Sequence, residues 1–317
     1  MATASRAING RGDVHPQTRE RVARAAQELG FVGRQTRSVA ASGRSVGVIT
    51  DDPAGRFSMG ILNGVEDAFD AGGVSVVLCS TRRDPIREQH YINVLLERRI
   101  DGVIVIGETT NFRRSISQKL SIPVVYALGA SDDPDDISHV PDDVAGGVLA
   151  TEHLLSLGRR RIAHITGPRN YLSASERLTG VDRALANAGV ARTGDVYFGS
   201  WWTQQWGRTA AQMLLTAHPE VDAIVCGNDQ IAVGAIDVIR ASGRAVPEDV
   251  SIVGFDNWLI FAEDANPPLT TVDLRLHELG RHAARALFGE GEDAATGRHL
   301  HLPELVLRDS ATHVVST

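Results

Sequence analysis

The chain has 317 residues, 43% of them hydrophobic, and a formal net charge of −7. That length buries a sizeable core, divided over two lobes rather than one. The composition excludes a disulfide scaffold and a membrane-spanning helix, because only Cys79 and Cys226 are present and no apolar run approaches the roughly 18 residues of a span.

The N-terminus carries no signal-like apolar stretch with a small-residue cleavage site, so the expectation is a soluble cytoplasmic protein. Its two cysteines then read as small buried residues in a reducing compartment. Charge is uneven. Residues 1–45 hold eight Arg against Asp13, Glu20 and Glu28, a balance of +5 that leaves −12 for the remainder. A basic head on an acidic body suits a head that touches a polyanion and a body that does not, although a solvated helix face would give the same count.

The first clear helix spans residues 16–29. Pro16 opens it at no hydrogen-bond cost, Val22, Ala25, Ala26 and Leu29 recur at helical spacing, and Gly30 stops it. Ahead of it, residues 3–10 read as the tail of a shorter helix closed by Asn9-Gly10. Residues 33–45, GRQTRSVAASGRS, are basic and nearly free of large apolar side chains, and read as a hinge.

Beyond the hinge the chain alternates. Apolar, β-branched runs at 46–50, 74–78, 102–106, 123–126, 162–165, 223–226 and 251–255 predict strands. Amphipathic stretches at 61–71, 85–97, 148–157, 174–188, 206–217 and 231–242 predict helices. Such alternation implies parallel sheets covered on both faces, with ligand chemistry at the carboxyl ends of the strands. Asp101-GVIVIG and Asp222-AIVCGND repeat one pattern, which suggests two similar lobes.

No enzyme signature is present: there is no Walker-type phosphate loop, no GxGxxG at a strand-to-helix turn, no GxSxG and no HExxH. No catalytic residue, cofactor or metal site is therefore expected. His299 and His301 alternate on one face of a strand and read as a surface feature, since a third ligand is missing. Asp132, Asp133, Asp135 and Asp136 around Pro134 read as a solvated loop rather than a cation site. Arg11-Gly12-Asp13 is a coincidental adhesion tripeptide.

Residues 3–32 resemble the second half of the DNA-binding head of the lactose/galactose repressor family. Thr3, Ser5, Arg6, Asn9, Gly10, Val14, Thr18, Arg19, Val22, Leu29, Gly30 and Phe31 fall on the family pattern, and the similarity continues over essentially the full length. The resemblance implies a small helix-turn-helix head (1–32), a hinge (33–45) and a two-lobed α/β body (46–317) like that of periplasmic sugar-binding proteins. The lobes are expected at 46–147 with 273–299 and at 148–272 with 300–317, the chain crossing near 145, 272 and 300. DNA contacts are implied for Thr3, Ser5, Arg6, Asn9, Thr18, Arg37 and Val39. Val39 stands where the family usually has a minor-groove leucine, and the hinge is expected to order only on DNA. The family's head begins about twenty residues earlier than Met1 does here. The chain as written is thus expected to bind operator poorly, and a form extended upstream to bind well.

In the body the resemblance points to ligand contacts at Arg56, Phe57, Asp143, Arg177, Trp202, Asn228 and Asp256. Arg56 replaces an aromatic and adds a donor fork; Phe57 could instead staple the following helix. Arg177 could pair with Glu176 or Asp182 at the surface. Trp201 and Trp206 are the alternatives to Trp202, and Asp229 is expected to cap a helix rather than bind. Arg, Asn, Asp and Trp together suit a sugar or sugar derivative. The implied function is a homodimeric, ligand-responsive transcriptional regulator, most simply a repressor, that senses its effector through closure of the two lobes, with operator DNA and a small effector as partners. The competing reading is a cytoplasmic sugar-binding module without a working head.

Overall fold

The computed structural model describes residues 44–52, 55–69, 73–290 and 294–312, together with six positions between His15 and Arg24. Of the DNA-contact expectations only Thr18 falls on a described residue; it is helical, and its N–H donates to the His15 carbonyl at 2.9 Å. Thr3, Ser5, Arg6, Asn9, Arg37 and Val39 lie outside the described residues.

Two six-stranded sheets form the body. The first contains β1 (Arg44–Thr50), β2 (Val74–Ser80), β3 (Gly102–Ile106), β4 (Val124–Ala127), β5 (Ile137–Pro141) and β11 (Gly297–His301), in the order β11-β5-β4-β3-β1-β2. The second contains β6 (Ile162–Thr166), β7 (Tyr197–Phe198), β8 (Ala223–Cys226), β9 (Ser251–Phe255), β10 (Thr270–Asp273) and β12 (Glu304–Val306), in the order β12-β10-β9-β8-β6-β7. Each sheet thus has the same winding, reversing beside its first strand, where β1 lies between β2 and β3 and β6 lies between β7 and β8. All pairings are parallel except β12 on β10, which is antiparallel and makes the second sheet mixed rather than purely parallel.

The repeated aspartates have one structural use. Asp101 accepts the Ser45 N–H at 2.6 Å at the start of β1, and Asp222 accepts the Arg161 N–H at 2.9 Å at the start of β6. The strand β1 begins at Arg44, inside the predicted hinge. The Arg44 guanidinium lies 4.2 Å from the Phe288 ring and pairs with Glu290 at 2.6 Å, which anchors this end to the body.

Helices α1 (Ser58–Glu66) and α8 (Leu276–Leu287) pack on one face of the first sheet, and α2 (Pro85–Glu97) covers the other. Strand β3 shows why its sequence is apolar throughout: Ile104 and Ile106 face the first core, Val103 and Val105 the second. Around the second sheet lie α3 (Asp143–Ser156), α4 (Leu172–Asn187), α5 (Gln204–Ala217), α6 (Asp229–Ala241) and the short α7 (Leu259–Ala262). Cys79 and Cys226 are buried free thiols, both pushed up by burial.

Five helices start two to five residues before the predicted positions. Apolar periodicity marks where a helix touches the core, whereas caps set where it begins. Asp142 accepts the Ala145 N–H at 2.8 Å ahead of α3, and Thr203 accepts the Trp206 N–H at 3.2 Å ahead of α5. Because α3 starts at Asp143 and packs on α4, residues 143–147 sit with the second lobe rather than the first. The chain passes between lobes at Asp142, at Leu274-Arg275 and at Leu302-Pro303.

Two surface expectations need correction. The rings of His299 and His301 are not simply solvated, since they pack with His139 and His282, and His139 is fully buried. Among the described residues, no group of three His, Cys, Asp or Glu could hold a metal ion. The acidic loop is not wholly solvated either: Asp136 is buried and accepts the hydroxyls of Ser131 at 2.5 Å and Ser115 at 2.7 Å, which outweigh burial and lower its pKa.

Candidate functional site

The first strands of the two lobes end opposite one another, and a cavity of about 240 Å³ lies between them. It is lined from the first lobe by Asp52, Arg56 and Phe57 after β1, Glu108, Thr109 and Thr110 after β3, and Leu128 after β4. From the second lobe come Tyr171, Ser173 and Arg177 at the start of α4, Trp202 before α5, Asn228 after β8 and Asp256 after β9. This is the crevice that doubly wound sheets leave where the winding reverses.

Six of the seven expected contacts, Arg56, Phe57, Arg177, Trp202, Asn228 and Asp256, line this one cavity. Asp143 does not. Its side chain is fully buried behind Arg177 and its Oδ1 accepts from Arg177 Nε at 2.7 Å, so it fixes the arginine rather than facing the cavity. The Arg177 guanidinium also donates to the Gly227 carbonyl, stands 3.4 Å from Asp256 Oδ1 and lies 4.2 Å from the Phe255 ring. Burial alone would pull this group down, but the Asp143 and Asp256 carboxylates outweigh it and hold the guanidinium charged. The surface pairings considered for Arg177 are taken by other residues, Glu176 by Arg298 at 3.0 Å and Asp182 by Arg192 at 3.0 Å.

The three neighbouring tryptophans separate cleanly. Trp201 is 69% exposed. Trp206 donates its indole N–H to the Thr166 carbonyl at 2.9 Å and packs against the core of the second lobe. Trp202 alone reaches the cavity, edge-on to Tyr171 with ring centroids 5.7 Å apart. A Cβ at Gly167 would stand 2.3 Å from this indole, so only glycine lets Trp202 lie where it does.

The cap of α6 is Asn228, not Asp229: the Asn228 Oδ1 accepts the Ile231 N–H at 2.9 Å, while its amide still lines the cavity. Asp229 is buried and accepts from Thr271 Oγ1 at 2.5 Å and the Trp258 N–H at 2.7 Å, bracing the loop that carries Asp256. Burial first, and then the nearby Asp256 carboxylate, push its carboxyl up to about 8. An unfolded carboxyl ionises near pH 4, so the folded state keeps a proton that the unfolded state gives up, and Asp229's contribution to stability is lost as pH rises from about 4 to about 8. Asp229→Asn should flatten that dependence in urea titrations across the range; an unchanged slope would assign it elsewhere.

Asp256 itself has φ +95°, a backbone region that non-glycine residues rarely adopt. Such strain at the end of a strand marks a side chain held in place for its position. Sequence reading missed Asp52, Glu108, Thr109, Thr110, Leu128, Tyr171, Ser173 and Leu274. Most directly follow strands or open α4, so the strand-end rule could have found them. Leu274 could not be found that way, because it lies in a crossover between lobes.

Residues 43–302 match the family model described as periplasmic binding proteins and sugar binding domain of LacI family, and residues 1–33 match bacterial regulatory proteins, lacI family. The chain is 34% identical to the HTH-type transcriptional regulator CelR of Thermobifida fusca, over 99% of this chain and 92% of that protein. The structure of the CelR–cellobiose complex superposes with a TM-score of 0.68 at 32% identity, covering 96% of this chain and 94% of the other. The Lac repressor dimer bound to operator and the anti-inducer ONPF gives 0.74 at 25% identity, covering 98% and 94%. Its relatives are named as regulators and not as enzymes, and no described helix is long and apolar enough to cross a membrane. The chain belongs to the LacI family and is a ligand-responsive, DNA-binding transcriptional regulator.

Proposed function

We propose that the cavity between the lobes binds a neutral sugar, through Arg56, Phe57, Arg177, Trp202, Asn228 and Asp256, and that its occupancy sets the affinity of a cytoplasmic homodimer for operator DNA. One observation carries the choice of ligand: the cations of the cavity are already matched. Arg177 is held by Asp143 and Asp256, Arg56 pairs with Asp256, and Glu108 pairs with Arg83. An incoming phosphate or carboxylate would meet no uncommitted cation, whereas hydroxyls can join these pairs without upsetting the balance. Phe57, Tyr171 and Trp202 offer flat apolar faces to the C–H side of a sugar ring. The volume suits one sugar ring, so a disaccharide such as the cellobiose of the CelR complex would need the lobes to part.

Regulation requires only that the sugar bind the operator-competent and incompetent arrangements with different affinity. A thermal-shift panel of neutral sugars, phosphosugars and nucleobases tests the assignment. Neutral sugars should raise the melting temperature of the wild type and not of Trp202→Ala. Shifts from phosphosugars or nucleobases alone would refute it.

A further inference from the structure

Arg56 and Asp256 come from opposite lobes, one after β1 and the other after β9, and form an ion pair across the cavity with side-chain exposures of 16% and 6%. Among the described residues it is the one ion pair that both spans the lobes and lines the cavity. We propose that Arg56 is a built-in latch that holds the cleft closed in the ligand-free protein through Asp256, the carboxylate that an effector would otherwise engage. This rests on the effector cavity described above.

The surroundings favour a latch over an ordinary structural salt bridge. The Arg56 guanidinium lies 4.7 Å from the Phe57 ring of its own lobe and 4.6 Å from the Trp258 ring of the other, so it fills a slot that exists only when the lobes are together. Yet its hydrogen bonding is incomplete. Arg56 Nε is buried without a hydrogen-bond partner, and Asp256 Oδ1 has none beyond its 3.4 Å ion contact with Arg177. Such open groups leave room for an incoming hydroxyl to join the pair. A single hydroxyl could donate to Asp256 Oδ1 and accept from Arg56 Nε. Among the described residues, other polar ties between the lobes run along the rim, outside the cavity lining: Asn111 accepts the Leu172 N–H at 2.6 Å and donates to the Asn170 carbonyl at 3.2 Å, and Arg298 pairs with Glu176.

The test is hydrogen–deuterium exchange on the ligand-free regulator as wild type, Arg56→Met, Asp256→Asn and the double variant. Methionine keeps much of the apolar stem and removes the charge. Exchange in the cleft-facing segments 107–111 and 227–231 should rise severalfold in Arg56→Met, with β3 and β8 unchanged. Arg56→Lys should restore part of the protection, and the double variant should open no further than the more open single one. Unchanged exchange in folded Arg56→Met would overturn the proposal, as would a rise spread over the whole first lobe, which would mean destabilisation instead. No sugar enters this measurement, so a failed sugar screen leaves its outcome intact, and a failed latch leaves the sugar assignment intact.

Discussion

Arg177→Ala is expected to lower the unfolding free energy by about 3–5 kcal/mol and to abolish sugar binding. The side chain is 5% exposed, and its removal strands Asp143, whose side chain is fully buried, and leaves Asp256 with Arg56 alone. A fully buried carboxylate left without its cation costs far more than the original pair contributed. Urea titrations check the first effect and calorimetric titration with a responsive sugar the second. The double variant Arg177→Met with Asp143→Asn removes the stranded charge behind the site, so it should regain a large part of the stability and none of the binding. Recovery of binding in that variant would show that Arg177 is structural and not a ligand contact.

Gly147→Ala should cost about 1–3 kcal/mol and weaken sugar binding as well. A Cβ at Gly147 would stand 2.2 Å from the Arg177 carbonyl oxygen, so α3 and α4 would have to move apart. These are the helices that carry Asp143 and Arg177, and a shift of several tenths of an ångström disturbs their 2.7 Å contact. Gly280→Ala supplies the comparison. Its Cβ would stand 2.1 Å from the Ile61 carbonyl oxygen, between α8 and α1, away from the cavity. It should destabilise comparably while leaving sugar affinity below the melting range unchanged. Equal losses of affinity in both variants would mean that general loosening, and not displacement of Arg177, is responsible.

The body of the fold was legible because buried parallel strands leave continuous apolar runs, and β1, β3, β6, β8 and β9 were all found this way. What periodicity could not see was the polar or small-residue machinery at the ends. Asp142, Thr203 and Asn228 start helices through hydrogen bonds, and no hydrophobic pattern marks them. Strand β5, ISHVP, mixes Ser138 and His139 into a largely buried row, and α8 carries five charged or imidazole residues among its apolar ones; both escaped the reading. At the site, position after a strand identified the neighbourhood, and family resemblance selected residues within it. Neither could separate Asp143 from Asp256 or decide which tryptophan turns inward, because both depend on packing across the cleft. Nor could Arg56 be foreseen as the partner of Asp256, two hundred residues away.

The central claim is that this cavity controls DNA binding. Its most direct test is the regulator's affinity for an operator selected from random DNA, measured by fluorescence anisotropy at fixed salt with and without the sugar that the screen identifies. Linkage predicts a shift in operator affinity in the wild type and no shift in Trp202→Ala, with both proteins binding equally without sugar. The same sugar-induced shift in both proteins, or none in the wild type at saturating sugar, would contradict the account.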